Sequence, residues 1–257
     1  MAADTVPTAE SGETAVRGRL YAGTSGFSYP SWVPRFYEPG EASRKLLVAY
    51  SERLPAVELN NTFYRRPSPE QVAKWLRETP DGFRFCPKAQ RGTSWRAWSV
   101  DDPSESFAWL TESLGVFGDR LGCVLMSVLG SLERDDMMLQ RVLRAWPGDV
   151  PLALELPHPS WADDEVHARL DDHGVALVAT DWDDRDEPDL RRIGRFIYVR
   201  LRRTTYSSAD VDRWARRLEP FLADGLDAFV FFRHDEDGQM PLHAVALLEH
   251  TRAGIGP

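Results

Sequence analysis

The sequence has little cysteine and no surplus of basic charge. Cys86 and Cys123 are the only cysteines among 257 residues, and both lie in apolar, strand-like runs. Such positions favour buried, reduced thiols in a cytosolic protein over a disulfide. The formal net charge of −9 argues against a general affinity for nucleic acid or anionic membranes, because diffuse binding to phosphate requires a basic surface. A local basic groove is still compatible with this charge.

Long apolar runs and several familiar motifs are also lacking. No apolar run approaches the roughly 20 residues that a membrane-spanning helix needs. Residues 1–17 have neither the basic start nor the apolar core of a signal peptide, and their small, polar and acidic composition predicts a disordered tail before a single domain over residues 18–257. No glycine-rich dinucleotide motif, phosphate-binding loop, Ser-His-Asp or Cys-His arrangement can be read. We therefore expect a cytoplasmic protein that does not bind membranes, and nothing in the sequence indicates its oligomeric state.

What the sequence does contain is a repeated alternation of short β-rich runs and stretches with helical period, about eight times over. Several of the strand candidates are nearly continuous apolar runs, as expected for parallel strands that are covered on both faces. The strand candidates are Leu20–Gly23, Ala56–Asn60, Phe83–Lys88, Leu121–Ser127, Pro151–Leu156, Val175–Asp181, Phe196–Arg202 and Ala228–His234.

The stretches between the strand candidates carry helix signals. Apolar residues recur at helical spacing over Met138–Trp146 and Val211–Phe221. Ser68–Gln71 and Asp102–Glu105 each combine an N-cap, a first-turn proline and a capping acid or amide. About eight βα units predict a single (β/α)8 TIM-type barrel, with an open doubly wound sheet as the alternative. The weakest unit is the sixth, whose helix would have to come from Glu187–Ile193.

Strand parity predicts which side chains point into the barrel, since alternate residues of a barrel strand face inward. In the second strand Val57 and Leu59 should face the helices, so that Glu58 and Asn60 point inward. The same reasoning, applied to the third, fifth and seventh strands and joined with the position of Asp181 at the end of the sixth, predicts a set of charged side chains that converge near the carboxyl-terminal end of the barrel. This set is Glu58, Lys88, Glu155, Asp181, Arg200 and Arg202, with Arg84, Cys86 and Tyr198 also inward.

Two interpretations of this charged set remain open. Burying an isolated charge in so apolar a setting costs on the order of several kcal/mol unless the charge is paired. The set could therefore be a structural ion-pair network. It could instead be a site for an anionic or polyhydroxy ligand, the interpretation that the position of the charges favours, because barrel enzymes act at the carboxyl-terminal face. Both interpretations predict perturbed pKa values there.

Aromatic residues follow many of the predicted strands. In loops they offer stacking surfaces for sugars or bases, and they could instead plug the mouth of the barrel as a secondary core. They are Tyr29, Trp32, Phe63, Tyr64, Trp95, Trp98, Trp161 and Trp182.

Several long motifs, in order and spread over nearly the whole chain after the tail, resemble the YecE-like "domain of unknown function 72" family. The motifs are Gly23-Thr-Ser-Gly-Phe-Ser-Tyr-Pro-Ser-Trp32, Arg35-Phe-Tyr37, Glu58-Leu-Asn-Asn-Thr-Phe-Tyr-Arg65 with Pro67-Ser-Pro69, Gly82-Phe-Arg-Phe85 with Lys88, Arg120-Leu-Gly122, Glu155 with His158-Pro-Ser-Trp161, and Tyr198-Val-Arg-Leu201. The resemblance implies a TIM-barrel fold and brings no mechanism, since no activity is established for the family.

The sequence departs from the family pattern at the expected rim of the site. Ser127–Gly130 stands where Gln-Leu-Pro-Pro-like residues are usual, and Pro157 stands where an arginine is usual. Arg202-Arg203 replaces a His-Gly pair, and Arg233-His234 replaces paired asparagines. These changes indicate a divergent member with a different ligand or an altered activity.

The first functional hypothesis is an enzyme, of hydrolase, lyase or isomerase type, that acts on a phosphorylated or polyhydroxy anion by carboxylate acid–base chemistry. Its candidate catalytic residues are Glu58, Glu155 and Asp181, with Glu58 and Glu155 as general acid and base. Arg203 would help to hold the anion. Its candidate substrate-binding residues are Asn60, Tyr64, Lys88, His158, Trp161, Arg200, Arg202 and His234.

A variant of this hypothesis adds a divalent metal such as magnesium, manganese or zinc. Oxygen and imidazole ligands would come from separate strand ends, although no local ligand spacing supports them. The ligand candidates are Glu58, Glu155, His158, Asp181 and His234.

Two other hypotheses come from different classes of protein. In one, the loop aromatics and arginines form a binding module for nucleic acid or a partner protein, which the acidic net charge disfavours. In the other, the inward charges only stabilise a scaffold that has no catalytic activity.

Overall fold

Eight parallel strands form a nearly closed barrel in this computed structural model, which describes residues 16–253. The strands are β1 Leu20–Ser25, β2 Ala56–Leu59, β3 Arg84–Pro87, β4 Val124–Ser127, β5 Leu152–Glu155, β6 Ala176–Asp181, β7 Ile197–Leu201 and β8 Ala228–Phe232. Their hydrogen-bonded order is β3-β2-β1-β8-β7-β6-β5-β4. Only two single bridges, Phe85 to Leu121 and Lys88 to Leu125, connect β3 with β4. The predicted single-domain (β/α)8 fold is confirmed, with a loose seam between β3 and β4.

The helices surround the strands as the periodicity predicts. Ser68 caps α2 by accepting a hydrogen bond from the Gln71 amide, as expected. At α4 the cap position falls on Pro103, and Asp102 accepts instead from the Ser104 amide at 2.9 Å. The helices are α1 Leu46–Ser51, α2 Pro69–Arg77, α3 Arg91–Ala97, α4 Ser104–Leu114, α5 Asp136–Ala145, α6 Asp164–Asp172, α7 Ser208–Ala223 and α8 Gln239–Ala253, with 3-10 turns at Pro30–Trp32, Ser43–Lys45, Asn60–Phe63, Gly115–Arg120 and Pro159–Trp161.

The prediction of a helix over Glu187–Ile193 is wrong, because the connection from β6 to β7 is an irregular loop. Polar groups of this segment bind α7 instead of one another. The Glu187 carboxylate accepts from Arg213 and Arg217, and the Pro188 carbonyl, which a helix would need for its own ladder, accepts from Arg217. The acceptors of this short segment bind α7, and Leu190 and Ile193 are its apolar residues that pack on the core. A helix here would therefore have no continuous apolar face to bury.

Of the predicted tail, residues 1–15 lie outside the described residues. Arg17 lies within them, and its Nη2 donates to the Glu219 carboxylate of α7 at 2.6 Å. Nowhere in residues 16–253 does a helix combine the length and the apolar character needed to cross a membrane.

Two separate apolar clusters confirm the parity prediction. Val57, Leu59 and Phe85 belong to the cluster between strands and helices, whereas Cys86 and Tyr198 belong to a cluster that fills the barrel interior. The thiols of Cys86 and Cys123 are buried inside the barrel and form no disulfide, and the Cys123 thiol donates a hydrogen bond to Cys86 Sγ at 3.8 Å. An apolar barrel interior therefore forms the floor beneath the charged residues at the strand ends.

Candidate functional site

The Arg200 guanidinium of β7 lies at the centre of the charged cluster. Its Nη1 donates to both carboxylate oxygens of Glu155, each at 2.9 Å. Its Nε and Nη2 donate to the two oxygens of Glu58 at 3.1 and 3.0 Å. One arginine thus bridges carboxylates from β2 and β5 with fork-like geometry, the arrangement in which guanidinium–carboxylate pairs are strongest.

Glu58 is fully buried and accepts hydrogen bonds from several directions. Besides Arg200, it accepts from Ser25 Oγ at 2.7 Å, Tyr198 Oη at 2.9 Å and Arg202 Nη2 at 2.7 Å. Burial alone would raise the pKa of Glu58, but the charges of Arg200 and Arg202 and these hydrogen bonds outweigh it. Its pKa therefore lies well below the ordinary range, and the carboxylate stays ionised at neutral pH.

Glu155 is nearly as buried, at 8% exposure, and is held in a similar way. The hydroxyl groups of Ser127 and Thr180 donate to it, the second at 2.7 Å. Burial again opposes ionisation, and the Arg200 charge and the hydroxyl donors prevail, so that the pKa of Glu155 falls to about 2. Both carboxylates of the central cluster are therefore anions that orient Arg200.

Asp181 belongs to a neighbouring pair rather than to the central cluster. It accepts from Arg203 Nε at 2.8 Å and from Tyr206 Oη at 3.0 Å. Burial raises the pKa of Asp181 above its usual value despite these two partners. The pKa of Asp181 is thus shifted in the opposite direction from those of Glu58 and Glu155, and its charge is compensated outside the central cluster.

Lys88 follows the last residue of β3 and is half-buried. Its Nζ lies 4.9 Å from the centre of the Phe63 ring. Among residues 16–253 no carboxylate forms a salt bridge with this ammonium group. Burial, followed by the nearby charge of Arg200, lowers the pKa of Lys88.

The central cluster carries a surplus of positive charge. Arg200, Arg202 and Lys88 contribute three cations against the two carboxylates Glu58 and Glu155. Arg202 donates to Glu58 through Nη2 alone, and within the described part of the chain its Nε and Nη1 donate to no acceptor. Neither nitrogen is sealed from solvent. An anion that binds at this face could therefore accept hydrogen bonds from Arg202 Nε and Nη1 and from Lys88 Nζ.

A cleft of about 570 Å³ opens beside this cluster, at the seam between β3 and β4. Its walls are mainly apolar and aromatic, as is usual for small-molecule sites. Ser127, which donates to Glu155, connects the cleft with the charged cluster. The lining residues are Phe63, Lys88, Arg91, Gly92, Ser94, Trp95, Trp98, Ser99, Ser127, Val128, Leu129 and Leu132.

The remaining predicted site residues lie around the barrel mouth, away from the central hydrogen-bond network. Tyr64 is 76% exposed, and Trp161 is buried with its indole N–H donating to the Leu132 carbonyl. His158 accepts from the Ser160 amide in a turn, and His234 is exposed and stacks on Tyr29 at 5.0 Å between ring centres.

Asn60, half-buried, opens the 3-10 turn after β2, and no hydrogen bond of its side chain is found among the described residues. The central network accordingly unites Glu58, Glu155, Arg200 and Arg202 of the predicted set, with Lys88 alongside. Asp181 forms its own pair.

Sequence reasoning missed the hydroxyl groups that complete the network. Ser25, Ser127 and Thr180 stand beside Glu58, Glu155 and Arg200 in the strand register. Tyr198 was predicted to point inward, although not to contact Glu58. The signal that would have found the hydroxyl groups is the register between neighbouring strands, which the sequence of one strand does not contain.

The geometry does not fit the divalent-metal variant. Both carboxylates of the central cluster direct their oxygens at guanidinium and hydroxyl donors, and His158 and His234 lie in rim positions. Across the described ranges no group of three or more His, Cys, Asp and Glu side chains is placed to hold a metal ion.

A barrel with a charged cluster at its carboxyl-terminal face is thus the class that the fold and the site define. The chain belongs to the DUF72 family, described as "Protein of unknown function DUF72", whose model matches residues 21–255. This confirms the resemblance found in the sequence.

The curated relatives carry no stated activity. The UPF0759 protein YunF of Bacillus subtilis (strain 168) is 25% identical over 273 aligned residues, which cover 90% of this chain and 94% of that protein. The UPF0759 protein YecE of Escherichia coli (strain K12) is 30% identical over 170 residues, or 63% of this chain and 59% of that protein.

Two solved structures show the same fold. A DUF72 family protein of Enterococcus faecalis V583 superimposes with a TM-score of 0.75 at 18% identity, covering 91% of this chain and 95% of that one. A DUF72 family protein of Thermotoga maritima MSB8 gives 0.74 at 22% identity, covering 91% and 99%.

Proposed function

We propose that this protein is an enzyme that binds a small anionic substrate, phosphorylated or polyhydroxy, at the carboxyl-terminal face of the barrel. The observation that carries the proposal is the surplus cation of the central cluster, with Lys88 unpaired among the described residues and Arg202 only partly engaged. Buried charges are normally compensated. A site that keeps one positive charge uncompensated beside an open cleft is suited to an anion that supplies the missing negative charge.

The residues divide into anchors and contacts. Glu58 and Glu155 anchor Arg200, since their oxygens are filled by donors from within the protein. Arg202 and Lys88 contact the anion. Arg202 does so through the N–H groups that donate to no acceptor among the described residues, and Lys88 does so as a point charge. A preformed arrangement of this kind lowers the entropic cost of binding.

Acid–base chemistry in this proposal is assigned to Glu155. Glu155, whose pKa is about 2, is ionised and borders the cleft through Ser127, and it accepts a proton when the substrate displaces the Ser127 donor. Asp181 is fully buried, pairs with Arg203 and Tyr206 and does not line the cleft, so no role in proton transfer follows from its raised pKa. Glu58, which is ionised and fully enclosed, is an anchor rather than a proton donor.

Replacing Lys88 with methionine tests the anion site. We expect Lys88→Met to weaken the binding of inorganic phosphate or pyrophosphate by about tenfold or more, the cost of one charge-assisted contact. We expect the free energy of unfolding to hold or to rise by up to about 1 kcal/mol, because the change removes a half-buried cation beside Arg200. Isothermal titration calorimetry measures the first quantity and urea unfolding the second.

The matched control is Lys45→Met, a change at an exposed lysine in the 3-10 turn before α1. It should alter neither phosphate binding nor the free energy of unfolding. Phosphate binding that is absent from the unmodified protein, or equal in both variants, would contradict the proposal. A clear loss of stability in Lys88→Met would show that the lysine has a structural partner.

A second candidate function is the binding of single-stranded nucleic acid or a protein partner. It is favoured by the exposed rings of Tyr64 and Trp95, by the exposed Arg91 in the lining of the cleft and by the exposed Arg96 further along α3. Fluorescence anisotropy with a labelled oligonucleotide would support it if binding weakens steeply with salt and is lost in Trp95→Ala. No binding at low salt rules it out. A cytoplasmic location, consistent with two buried thiols that form no disulfide, is part of either proposal.

A further inference from the structure

We infer that Lys88 is a nucleophile that forms a Schiff base with an aldehyde or ketone bound in the cleft between β3 and β4. The substrate class is a carbonyl compound that also carries a carboxylate or phosphate. The anionic part of this substrate rests on the proposed function, whereas the reactivity of Lys88 rests on its own geometry.

The backbone at Lys88 is held from both neighbouring strands. Its amide donates to the Leu59 carbonyl at 3.1 Å, and its carbonyl accepts from Thr62 Oγ1 at 2.7 Å. The next amide, that of Ala89, donates to the Leu125 carbonyl at 2.7 Å. The amine therefore projects from one of the best-anchored points of the seam, as nucleophilic catalysis requires.

The surroundings of the amine enlarge the fraction that is neutral compared with an exposed lysine, while the protonated fraction is the cation of the proposed anion site. Over residues 16–253 no acceptor takes a hydrogen bond from Nζ, and its near neighbour is the Phe63 ring. Burial and then the charge of Arg200 lower the pKa of Lys88, the carboxylates Glu155 and Glu58 oppose this shift, and Arg202 adds a smaller lowering effect. An unprotonated amine is the form that attacks a carbonyl carbon.

The cleft suits such an intermediate. Its walls are largely apolar, with Trp98, Val128 and Leu132 among them, and such walls suit the carbon skeleton of a carbonyl substrate. A volume of about 570 Å³ is within the range of small-molecule sites. The anionic end of the substrate would extend past Ser127 toward Arg202.

The step balances without any oxidant or reductant. The Nζ lone pair bonds to the carbonyl carbon, the π pair of the C=O bond moves to oxygen, and a proton passes from nitrogen to that oxygen. The resulting hydroxyl takes a proton from solvent and leaves as water while nitrogen forms the double bond to carbon. The product is a protonated imine, which withdraws electrons from the adjacent C–H or C–C bond.

The composition of the chain makes the inference easy to test. Lys45, Lys74 and Lys88 are the only lysines in the 257 residues, and Lys45 and Lys74 are exposed. The protein is incubated with sodium cyanoborohydride and either glyoxylate, an anionic aldehyde, or butyraldehyde, a neutral one. The reductant traps any imine as a stable secondary amine, and peptide mass mapping locates it.

We expect Lys88 to be labelled before Lys45 and Lys74 with both aldehydes, and labelling at position 88 to be lost in Lys88→Arg. Excess phosphate should slow the labelling of Lys88 by glyoxylate and leave that of Lys45 unchanged. Labelling of Lys88 no faster than that of the two exposed lysines in the unmodified protein overturns the inference, and this comparison needs no variant.

Lys88→Arg separates the two proposals, because arginine keeps the positive charge and lacks the nucleophilic amine. Phosphate binding retained in a variant that cannot be labelled supports both proposals. Phosphate binding in a protein whose Lys88 is not preferentially labelled leaves the anion site and overturns the Schiff base. Preferential labelling of Lys88 by butyraldehyde in a protein that does not bind phosphate supports the Schiff base and overturns the anion site.

Discussion

Glu58→Gln is expected to lower the free energy of unfolding by about 3–5 kcal/mol, the cost of removing one partner from a buried ion pair. Glu58 is fully buried and takes donors from Arg200 and Arg202 at the same time. A neutral amide of equal size leaves both guanidinium groups with less compensating charge. Its NH₂ group also faces donors where an acceptor oxygen is needed. Urea unfolding followed by circular dichroism measures the change.

The control for this prediction is Glu112→Gln, since Glu112 is exposed on α4. That change should stay within about 0.5 kcal/mol of the unmodified protein. A Glu58→Gln variant as stable as the control would mean that desolvation of the buried charges cancels their attraction. The carboxylate would then be retained for ligand binding rather than for stability.

Acidification is expected to unfold the protein through Glu58 and Glu155. The pKa of Glu58 is far below its ordinary range and that of Glu155 is about 2, so the folded state binds fewer protons than the unfolded state near the ordinary pKa. Their stabilisation is therefore complete above the unfolded pKa and is lost as the pH falls from about 5 toward 2. Glu155 alone contributes on the order of 3 kcal/mol.

Asp181 acts in the opposite direction. Burial raises its pKa, so its ionisation costs stability at neutral pH and acidification relieves that cost. One such group opposes two, and the net effect of acid remains destabilising. Asp181→Asn should accordingly leave the acid transition in place.

The test is a series of urea unfolding curves between about pH 6 and pH 3. Glu155→Gln should be less stable than the unmodified protein at the upper end and should lose less stability on acidification. The exposed change Glu112→Gln supplies the matched slope. Parallel slopes for Glu155→Gln and the unmodified protein would contradict the assignment of a strongly lowered pKa to Glu155.

Much of the barrel could be predicted from local pattern. Apolar runs near Ala56, Leu152 and Ala228 predict strands that are confirmed, since burial on both faces of a parallel strand needs continuous apolar sequence. Alternation then assigns Glu58 and Arg200 to the interior, because successive side chains of a strand point to opposite faces. The sixth connection failed because its polar groups bind α7, a partner distant in sequence.

The sequence by itself determined the fold, the inward face of four strands and most of the charges that gather at one end. Only the tertiary structure decided how those charges combine. It places Arg200 between Glu58 and Glu155, gives Asp181 to Arg203, and leaves Lys88 beside an apolar cleft. The physical reason is the range of the interactions. Side-chain period is a property of one strand, whereas an ion pair between residues 142 positions apart depends on strand register and on every competing partner within reach.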